Sequence, residues 1–366
     1  MSGGGTGGHV NPAIAIANEI AKREPDSEIA FVGTKRGIES RLVPKEGYEL
    51  HFIEIQGIRR SLSLDNLKTA YLAAKSFAEC KKIIKRFKPD LVVGTGGYAC
   101  WPVVRAAAAL KIPTALHESN AVPGFAVKML EKKADKVFVN FEETISKLAL
   151  PEKAKRVGNP LKRGFTEIDR DEAREELGIT GKYRTFLLSL GGSMGAERVN
   201  KEVLEVMKEY TSKHPEILHV HATGAIEYEE TKAAFERAGL DRCENIVLLE
   251  YVYDMPVRMA AADVVINRAG AMTLSELALL GKAAILIPSP NVTNNHQYKN
   301  AAVLADAGAA VLVEEKELTP GVLTSTVKEL CENREPRASM QENIKKFAVG
   351  DAAGLIYEDL RKLVKN

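Results

Sequence analysis

Cysteine is scarce in this chain: four in 366 residues, at Cys80, Cys100, Cys243 and Cys331, with no C-x-x-C pair. That excludes a disulfide framework and the common zinc and redox motifs, and it fits a reduced, cytosolic protein. No apolar run approaches the ~18 residues that a membrane span needs. The opening Met1-Ser2-Gly3-Gly4-Gly5 has neither the basic nor the apolar stretch of an export signal. Charge of one sign is not in excess either: 51 Lys and Arg face 49 Asp and Glu, a formal net charge of +2. Binding to nucleic acid along the whole molecule therefore has no electrostatic footprint. What remains is an ordinary globular balance, 45% apolar and 27% charged, over a length that suits about two domains.

Short β-branched runs alternate with helical stretches throughout. They predict strands at 28–33, 50–55, 90–94, 113–117 and 135–140, then at 185–190, 217–222, 245–250, 263–267, 283–287 and 309–313. Such alternation implies βαβ units and parallel sheets, an α/β fold. The stretch 151–182 is richer in charge, Gly and Pro, where a domain boundary is expected. A glycine-rich turn at 3–8 and a second at 191–195 stand about half the chain apart, each followed by a helix, as in nucleotide-binding domains. Only Met1 and Ser2 precede the first turn. A central parallel strand is thus expected to be absent, or the true start to lie upstream.

Gly3-Gly4-Gly5-Thr6-Gly7-Gly8-His9 contains G-x-G-x-x-G, and Asn11 with Pro12 predicts a helix start immediately after it. Amide groups there offer an anion site. Dinucleotide binding would need an acid ending the second strand, which instead ends Gly33-Thr34-Lys35. The run 188–195, Leu-Ser-Leu-Gly-Gly-Ser-Met-Gly, contains G-x-S-x-G, with Asp263 and His296 following in α/β-hydrolase order. The competing reading is a phosphate loop in which Ser193 and backbone amides bind an anion.

Three further polar segments follow strands. In 117–124, His117-Glu118-Ser119-Asn120 leads into Pro123-Gly124. In 268–276, small residues open a helix, and Glu276 suits either two ribose hydroxyls or, equally, a plain helix start whose dipole favours an acid. In 294–301, Asn294-Asn295-His296-Gln297 offers amides for sugar hydroxyls or for helix capping. His219 and His221 alternate on one strand face and read as core or edge histidines, with a metal pair as the lesser alternative. Asp169-Arg170-Asp171 reads as a helix cap, not a metal motif. The basic amphipathic stretch 67–88 sets Leu72, Phe77, Ile83, Ile84 and Phe87 beside Lys81, Lys82, Lys85 and Arg86. It suits either an anionic lipid surface or ordinary packing.

Taken in order, GGGTGGH with NPAIAIA, GTGGY, HESNAVPG, VGNP, GGSMGA, RAGAMTLSE and NNHQYKNA resemble the MurG-type glycosyltransferases, from Gly3 to about Ala301. The resemblance implies a GT-B fold: two Rossmann-like parallel-sheet domains facing a cleft, at 1–160 and 161–340, with a C-terminal helix over 341–366 returning to the first. It implies inverting transfer of N-acetylglucosamine from UDP-N-acetylglucosamine to undecaprenyl-linked muramyl-pentapeptide, without metal or cofactor. The place would be the cytoplasmic membrane face, where the protein is peripheral on an anionic surface. A related transferase with another lipid acceptor is the alternative, and a serine hydrolase the remote one.

By motif, the resemblance sets Thr6, Gly7 and Gly8 at the donor diphosphate and Asn120 at the sugar. Ser193 would hold a phosphate, and Val252 would read uracil through its backbone. Ala271, Met272, Thr273, Leu274, Ser275 and Glu276 would bind phosphate, sugar and ribose, and Gln297 the sugar hydroxyls. Lys162 stands where the family carries Arg, and Lys does not replace a stacked guanidinium. Ser119 stands where Gln is common. His9 is the candidate base, because a helix N-terminus keeps an imidazole neutral, and Glu118 is the reserve.

Overall fold

The computed structural model describes residues 1–57, 65–179, 181–192, 195–319 and 321–365. The chain divides into two compact units, 1–162 with 349–366 and 163–348. The first unit runs α1 (Gly7–Arg23), β1 (Ala30–Gly33), α2 (Glu39–Lys45), β2 (Glu49–Phe52), α3 (Asp65–Phe87), β3 (Val92–Gly94), α4 (Cys100–Ala109), β4 (Thr114–Glu118), α5 (Phe125–Leu130), β5 (Lys136–Val139) and β6 (Ala154–Arg156). The second holds α6 (Arg170–Glu176), β7 (Thr185–Leu190), α7 (Glu197–Glu209), β8 (Ile217–Ala222), α8 (Tyr228–Arg237), β9 (Ile246–Leu249), α9 (Met255–Ala261) and β10 (Val264–Asn267). It continues with α10 (Ala271–Leu280), β11 (Ala283–Leu286), α11 (His296–Asp306), β12 (Val311–Leu312), α12 (Val322–Glu332) and α13 (Arg334–Lys345). The last helix, α14 (Ala352–Lys365), belongs to the first unit.

Every pairing between these strands is parallel, as apolar runs joined by helices require. The second unit carries one six-stranded sheet, ordered β12-β11-β10-β7-β8-β9. Its central strands β7, β8, β10 and β11 are buried at every residue. All eleven expected strands form, several of them shorter than expected. The twelfth, β6, was not foreseen: Ala-Lys-Arg at a sheet edge carries no apolar pattern to read.

In the first unit the order breaks into β1-β2 and β3-β4-β5-β6. Met1 and Ser2 lie between the two sheets. The Met1 amino group donates to Ala30 O (2.8 Å) and Val32 N–H donates to Met1 O (3.0 Å). Ser2 N–H donates to Val93 O and Thr95 N–H to Ser2 O, both 2.9 Å. Beside this two-residue bridge is a cavity of about 630 Å³ lined by Ile20, Ile29, Phe87, Leu91, Leu360 and Val364 among others. The helix α14 closes the far side of this unit. Ile356 and Leu360 share a core cluster with Ile16 and Val93, and Tyr357 Oη donates to Glu24 (2.6 Å).

One expectation about a helix changes, and for another the packing is now defined. The first helix starts at Gly7, not after Asn11, so Pro12 lies inside it. Thr6 takes the cap position and receives the N–H groups of His9 and Val10 (both 3.1 Å). The apolar residues of α3 serve packing: Leu72 and Ile84 are buried, and Phe77 and Ile83 pack against the same core beneath α4. Phe77 also lies under two cations, Lys81 at 5.1 Å and Arg105 at 5.8 Å. Among the described residues no helix is long and apolar enough to cross a membrane.

Candidate functional site

The first unit presents its glycine turn where Ser2 leaves the sheet. Two glycines of the 94–97 loop make this turn possible by letting it come close. A Cβ on Gly96 would lie 2.7 Å from His9 Cδ2, and one on Gly97 would collide with Gly4 O. Both have φ near +100° or +80°, which glycine alone adopts without strain. Thr95 Oγ1 donates to His9 O (2.6 Å), so the GTGGY loop clamps the start of α1. At that start, Gly7 and Gly8 occupy positions whose N–H groups have no acceptor one turn back. The His9 ring sits over the same turn, with Nδ1 3.2 Å from Gly4 O and 3.2 Å from Thr6 Oγ1. A carbonyl oxygen only accepts, so Nδ1 carries the proton. In the neutral form of this tautomer the lone pair is on Nε2.

Sequence reasoning missed Glu39. This buried carboxylate, at the first residue of α2, accepts from Gly5 N–H (3.0 Å), Thr34 N–H (2.9 Å) and Thr34 Oγ1 (2.7 Å). It ties the glycine turn to the end of β1. Its partners lie 5 and 34 residues away, so no local pattern announces it.

Glu118, at the end of β4, is buried and its two oxygens are occupied by its own loop. Oε1 accepts from Asn120 N–H (2.9 Å) and from Asn120 Nδ2 (3.0 Å), while Oε2 accepts from Gly124 N–H (2.6 Å). The carboxylate therefore shapes the 118–124 turn and orients Asn120. His117 beside it donates from Nε2 to Gly158 O (2.9 Å), joining β4 to the VGNP segment. Burial pushes its imidazole down to about 4, so the ring is neutral at pH 7. Lys162, the last residue of this unit's first segment, is exposed.

In the second unit the expected residues gather in loops beyond the carboxyl ends of one parallel sheet, where open α/β sheets bind ligands. After β7 the turn passes through Gly191 and Gly192, and Gly195 leads to α7; Ser193 and Met194 lie outside the described residues. After β9, Val252 is buried between the exposed Tyr251 and Tyr253. After β10, Gly270 opens α10, whose first turn holds no acidic residue. Leu274 N–H bonds to Gly270 O (3.0 Å), and its side chain is 2% exposed, in the core. Ala271, Met272 and Thr273 lie in the first turn, where N–H groups have no intrahelical acceptor, and Leu274 has neither N–H nor side chain to give. Ser275 Oγ returns to Ala271 O (3.2 Å), and Glu276 stands half-buried one turn further along. After β11, Asn294 and Asn295 take left-handed φ of 60° and 52°, which Asn tolerates best among residues with a side chain. Gln297 follows in the first turn of α11, its Oε1 accepting from Ser289 N–H (2.8 Å).

The hydrolase order does not assemble. Asp263 precedes β10, beside Phe186, whose N–H donates to its Oδ2 (2.8 Å). Arg170 (2.8 Å) and Arg174 (3.3 Å) hold the same carboxylate. The G-x-S-x-G turn leaves the opposite end of the sheet, beyond Leu190, four residues or about 13 Å of strand away. His296 Nδ1 instead contacts Thr293 O (2.9 Å). Asp169 accepts from Asp171 and Glu172 N–H groups (2.8 and 2.9 Å), as a helix cap does.

Residues 1–139 match the model of the glycosyltransferase family 28 N-terminal domain, and residues 186–356 that of the family 28 C-terminal domain. The UDP-N-acetylglucosamine--N-acetylmuramyl-(pentapeptide) pyrophosphoryl-undecaprenol N-acetylglucosamine transferase of Acetivibrio thermocellus is 44% identical over 366 residues, covering 100% of this chain and 98% of the relative. Transferase 1 of the same name from Bacillus cereus is 41% identical, over 100% of this chain and 99% of its own. Among solved structures, MurG of Acinetobacter baumannii superposes with a TM-score of 0.79 at 29% identity, covering 99% of this chain and 98% of its own. The UDP-GlcNAc 2-epimerase of Neisseria meningitidis, at 16% identity, TM-score 0.68 and 98% of both chains, shares the fold.

Proposed function

The chain belongs to the MurG-type branch of glycosyltransferase family 28, and from that premise we propose the reaction and the roles of its residues. It transfers N-acetylglucosamine from UDP-N-acetylglucosamine to the 4-hydroxyl of an undecaprenyl-linked muramyl-pentapeptide, with inversion at the anomeric carbon. The observation that carries the donor assignment is the acid-free N-terminus of α10 at the end of a buried parallel strand. Three N–H groups and the positive end of a helix dipole meet there, and a diphosphate is the ligand such a terminus favours.

In this reading Ala271, Met272 and Thr273 bind a phosphate through N–H groups, assisted by Ser193. Glu276 accepts from the ribose hydroxyls, Val252 offers backbone groups to uracil, and Gln297, its Oε1 held by Ser289, turns its NH2 to the sugar. In the first unit Thr6, Gly7 and Gly8 face the diphosphate, and Asn120, fixed by Glu118, faces the sugar. The acceptor hydroxyl attacks the anomeric carbon and gives its proton to Nε2 of His9. The bond from that carbon to the diphosphate oxygen breaks, and N–H groups already in position meet the charge that develops on UDP. Glu118, committed to its loop, leaves His9 as the base.

Because the acceptor carries a long lipid, the protein works as a peripheral enzyme on the anionic cytoplasmic face of the membrane. The exposed Lys82, Lys85 and Arg86 of α3 supply electrostatic attraction. Release of UDP measured with and without the lipid-linked acceptor tests the assignment. Acceptor-dependent release is expected. Release that ignores the acceptor, or that needs a different lipid glycoside, would refute it.

A further inference from the structure

Five polar side chains from four elements of the second unit form a continuous buried line. Thr211, Ser189, His219 and His221 are completely buried, and Asn200 is 1% exposed. Thr211 Oγ1 lies 3.2 Å from His219 Nδ1, and His219 Nε2 lies 2.9 Å from Ser189 Oγ. The same oxygen is 2.9 Å from His221 Nδ1, and His221 Nε2 is 3.1 Å from Asn200 Oδ1. Asn200 Nδ2 donates to Thr223 O (3.1 Å).

Proton counting gives the line a direction. With its NH2 on Thr223 O, Asn200 presents an oxygen to His221, so His221 Nε2 must carry hydrogen. Burial holds both imidazoles neutral, so Nδ1 of His221 accepts from Ser189. Ser189 then accepts from His219 Nε2–H, and His219 Nδ1 accepts from Thr211. The Ser189 carbonyl, 3.1 Å from His221 Nδ1, favours the opposite tautomer. That tautomer would set two acceptors against each other at Asn200, on one side of the amide or the other.

The line ends on the glycine turn. A Cβ on Gly191 would lie 2.5 Å from Asn200 Oδ1 and 2.7 Å from Thr223 O. One on Gly224, next to Thr223, would lie 2.6 Å from Gly192 O. Asn200 also sits in the first turn of α7, the helix that this turn opens.

We propose that the Thr211–His219–Ser189–His221–Asn200 line is a positioning device that sets the Gly191–Gly192 turn, and so the affinity for the nucleotide sugar. The proposal rests on the donor assignment above. Burying five polar groups is costly unless all are satisfied, and a satisfied line holds its last member, Asn200, at one place against the turn. None of the five is a catalytic residue; each acts through Asn200.

Two half-mimics of His221 separate positioning from packing. Gln places its amide nitrogen near Nε2 and keeps the bond to Asn200, whereas Asn mimics Nδ1, keeps Ser189 and abandons Asn200. His221→Asn is expected to raise the KM for UDP-N-acetylglucosamine and the Kd for UDP about tenfold, the worth of one hydrogen bond. The acceptor KM should stay within about twofold. His221→Gln should stay within about threefold of wild type, although both lower the melting temperature similarly. Amide exchange of Gly191 and Gly192 should quicken in His221→Asn alone, and the imidazole 15N shifts of wild type should show Nε2–H at both histidines. Affinity losses that follow the melting temperature in both variants, equal exchange in both, or an Nδ1–H tautomer at His221 would overturn the proposal. A wild type that does not bind UDP would refute the donor assignment instead, and exchange and tautomer would still decide the line.

Discussion

At the scale of single residues, the strongest commitment is His9. Its Nδ1 lies 3.2 Å from Gly4 O, so Nε2 is the atom proposed to take the acceptor proton. His9→Gln is expected to lower kcat by about 10²–10⁴-fold, the usual worth of a general base, with the KM for UDP-N-acetylglucosamine little changed. Steady-state kinetics check this; a loss confined to KM would make His9 a binding residue. In the proposed role Ser193 is one phosphate donor among several, so Ser193→Ala should cost about 1.5–3 kcal/mol, roughly ten- to 150-fold in transfer. An ester-hydrolysing wild type silenced by that substitution would contradict the phosphate role.

The buried histidines also fix the acid response. His117 and His221 are pushed down to about 4 from an ordinary 6.5, and His219 is lowered as well, in each case chiefly by burial. The unfolded chain takes up these protons near pH 6.5 while the folded chain does not. Stability is therefore full above pH 6.5 and declines as the pH falls toward 4, by about 3 kcal/mol for each group that reaches 4. The urea midpoint should drop between pH 7 and pH 5. A midpoint that holds steady over that interval would show that the rings are charged in the folded protein.

At the scale of elements, α3 packs one face, and its basic face is the one proposed to meet the membrane. Ile84 is 4% exposed and packs with Cys80, Val103 and Val104. Ile84→Ala should cost about 2–5 kcal/mol of stability and leave vesicle binding unchanged. Lys82→Glu with Lys85→Glu should do the reverse, weakening sedimentation with anionic vesicles while UDP affinity stays intact. Vesicle binding that survives the double substitution would move the membrane contact to another surface. At the start of α10, Gly270 and Ala271 are small and the first turn holds no acid, which suits the proposed diphosphate site.

At the scale of the whole molecule, each unit has its own core, with the main cluster of the second built on β7, β10 and β11 and those of the first on β3, β4, β5, α1 and α4. Helix termini and a neutral base account for the proposed chemistry, so transfer should survive thorough chelation. Loss in EDTA, restored by magnesium or manganese, would overturn that. The slot beside Met1 and Ser2 makes a second prediction. An apolar strand of five or six residues fused ahead of Met1 should enter the 630 Å³ cavity between Ala30–Val32 and Leu91–Val93 and raise the thermal midpoint. An unchanged midpoint would show that the cavity does not accept a strand.

The amino-acid sequence by itself determined the parallel α/β architecture, because strands buried on both faces must be written as apolar runs whatever surrounds them. It also determined which loops carry amides, hydroxyls and glycines, since G-rich turns and Asn-rich junctions are local chemistry. What it did not determine depends on partners far away in the chain. Pro12 argued for a later helix start, but the Thr6 carbonyl accepts from the N–H groups of His9 and Val10, so the helix begins earlier, at Gly7. β6 is an edge strand with no pattern of its own. Glu39 acquires its role only when Gly5, 34 residues away, is brought to it. His219 and His221 were legible as core or edge residues, yet their place in a directed line exists only once Thr211, Ser189 and Asn200 converge. The apolar residues of α3 suited lipid and protein equally, and the choice fell to α4, because apolar surface is satisfied by whichever neighbour removes it from water.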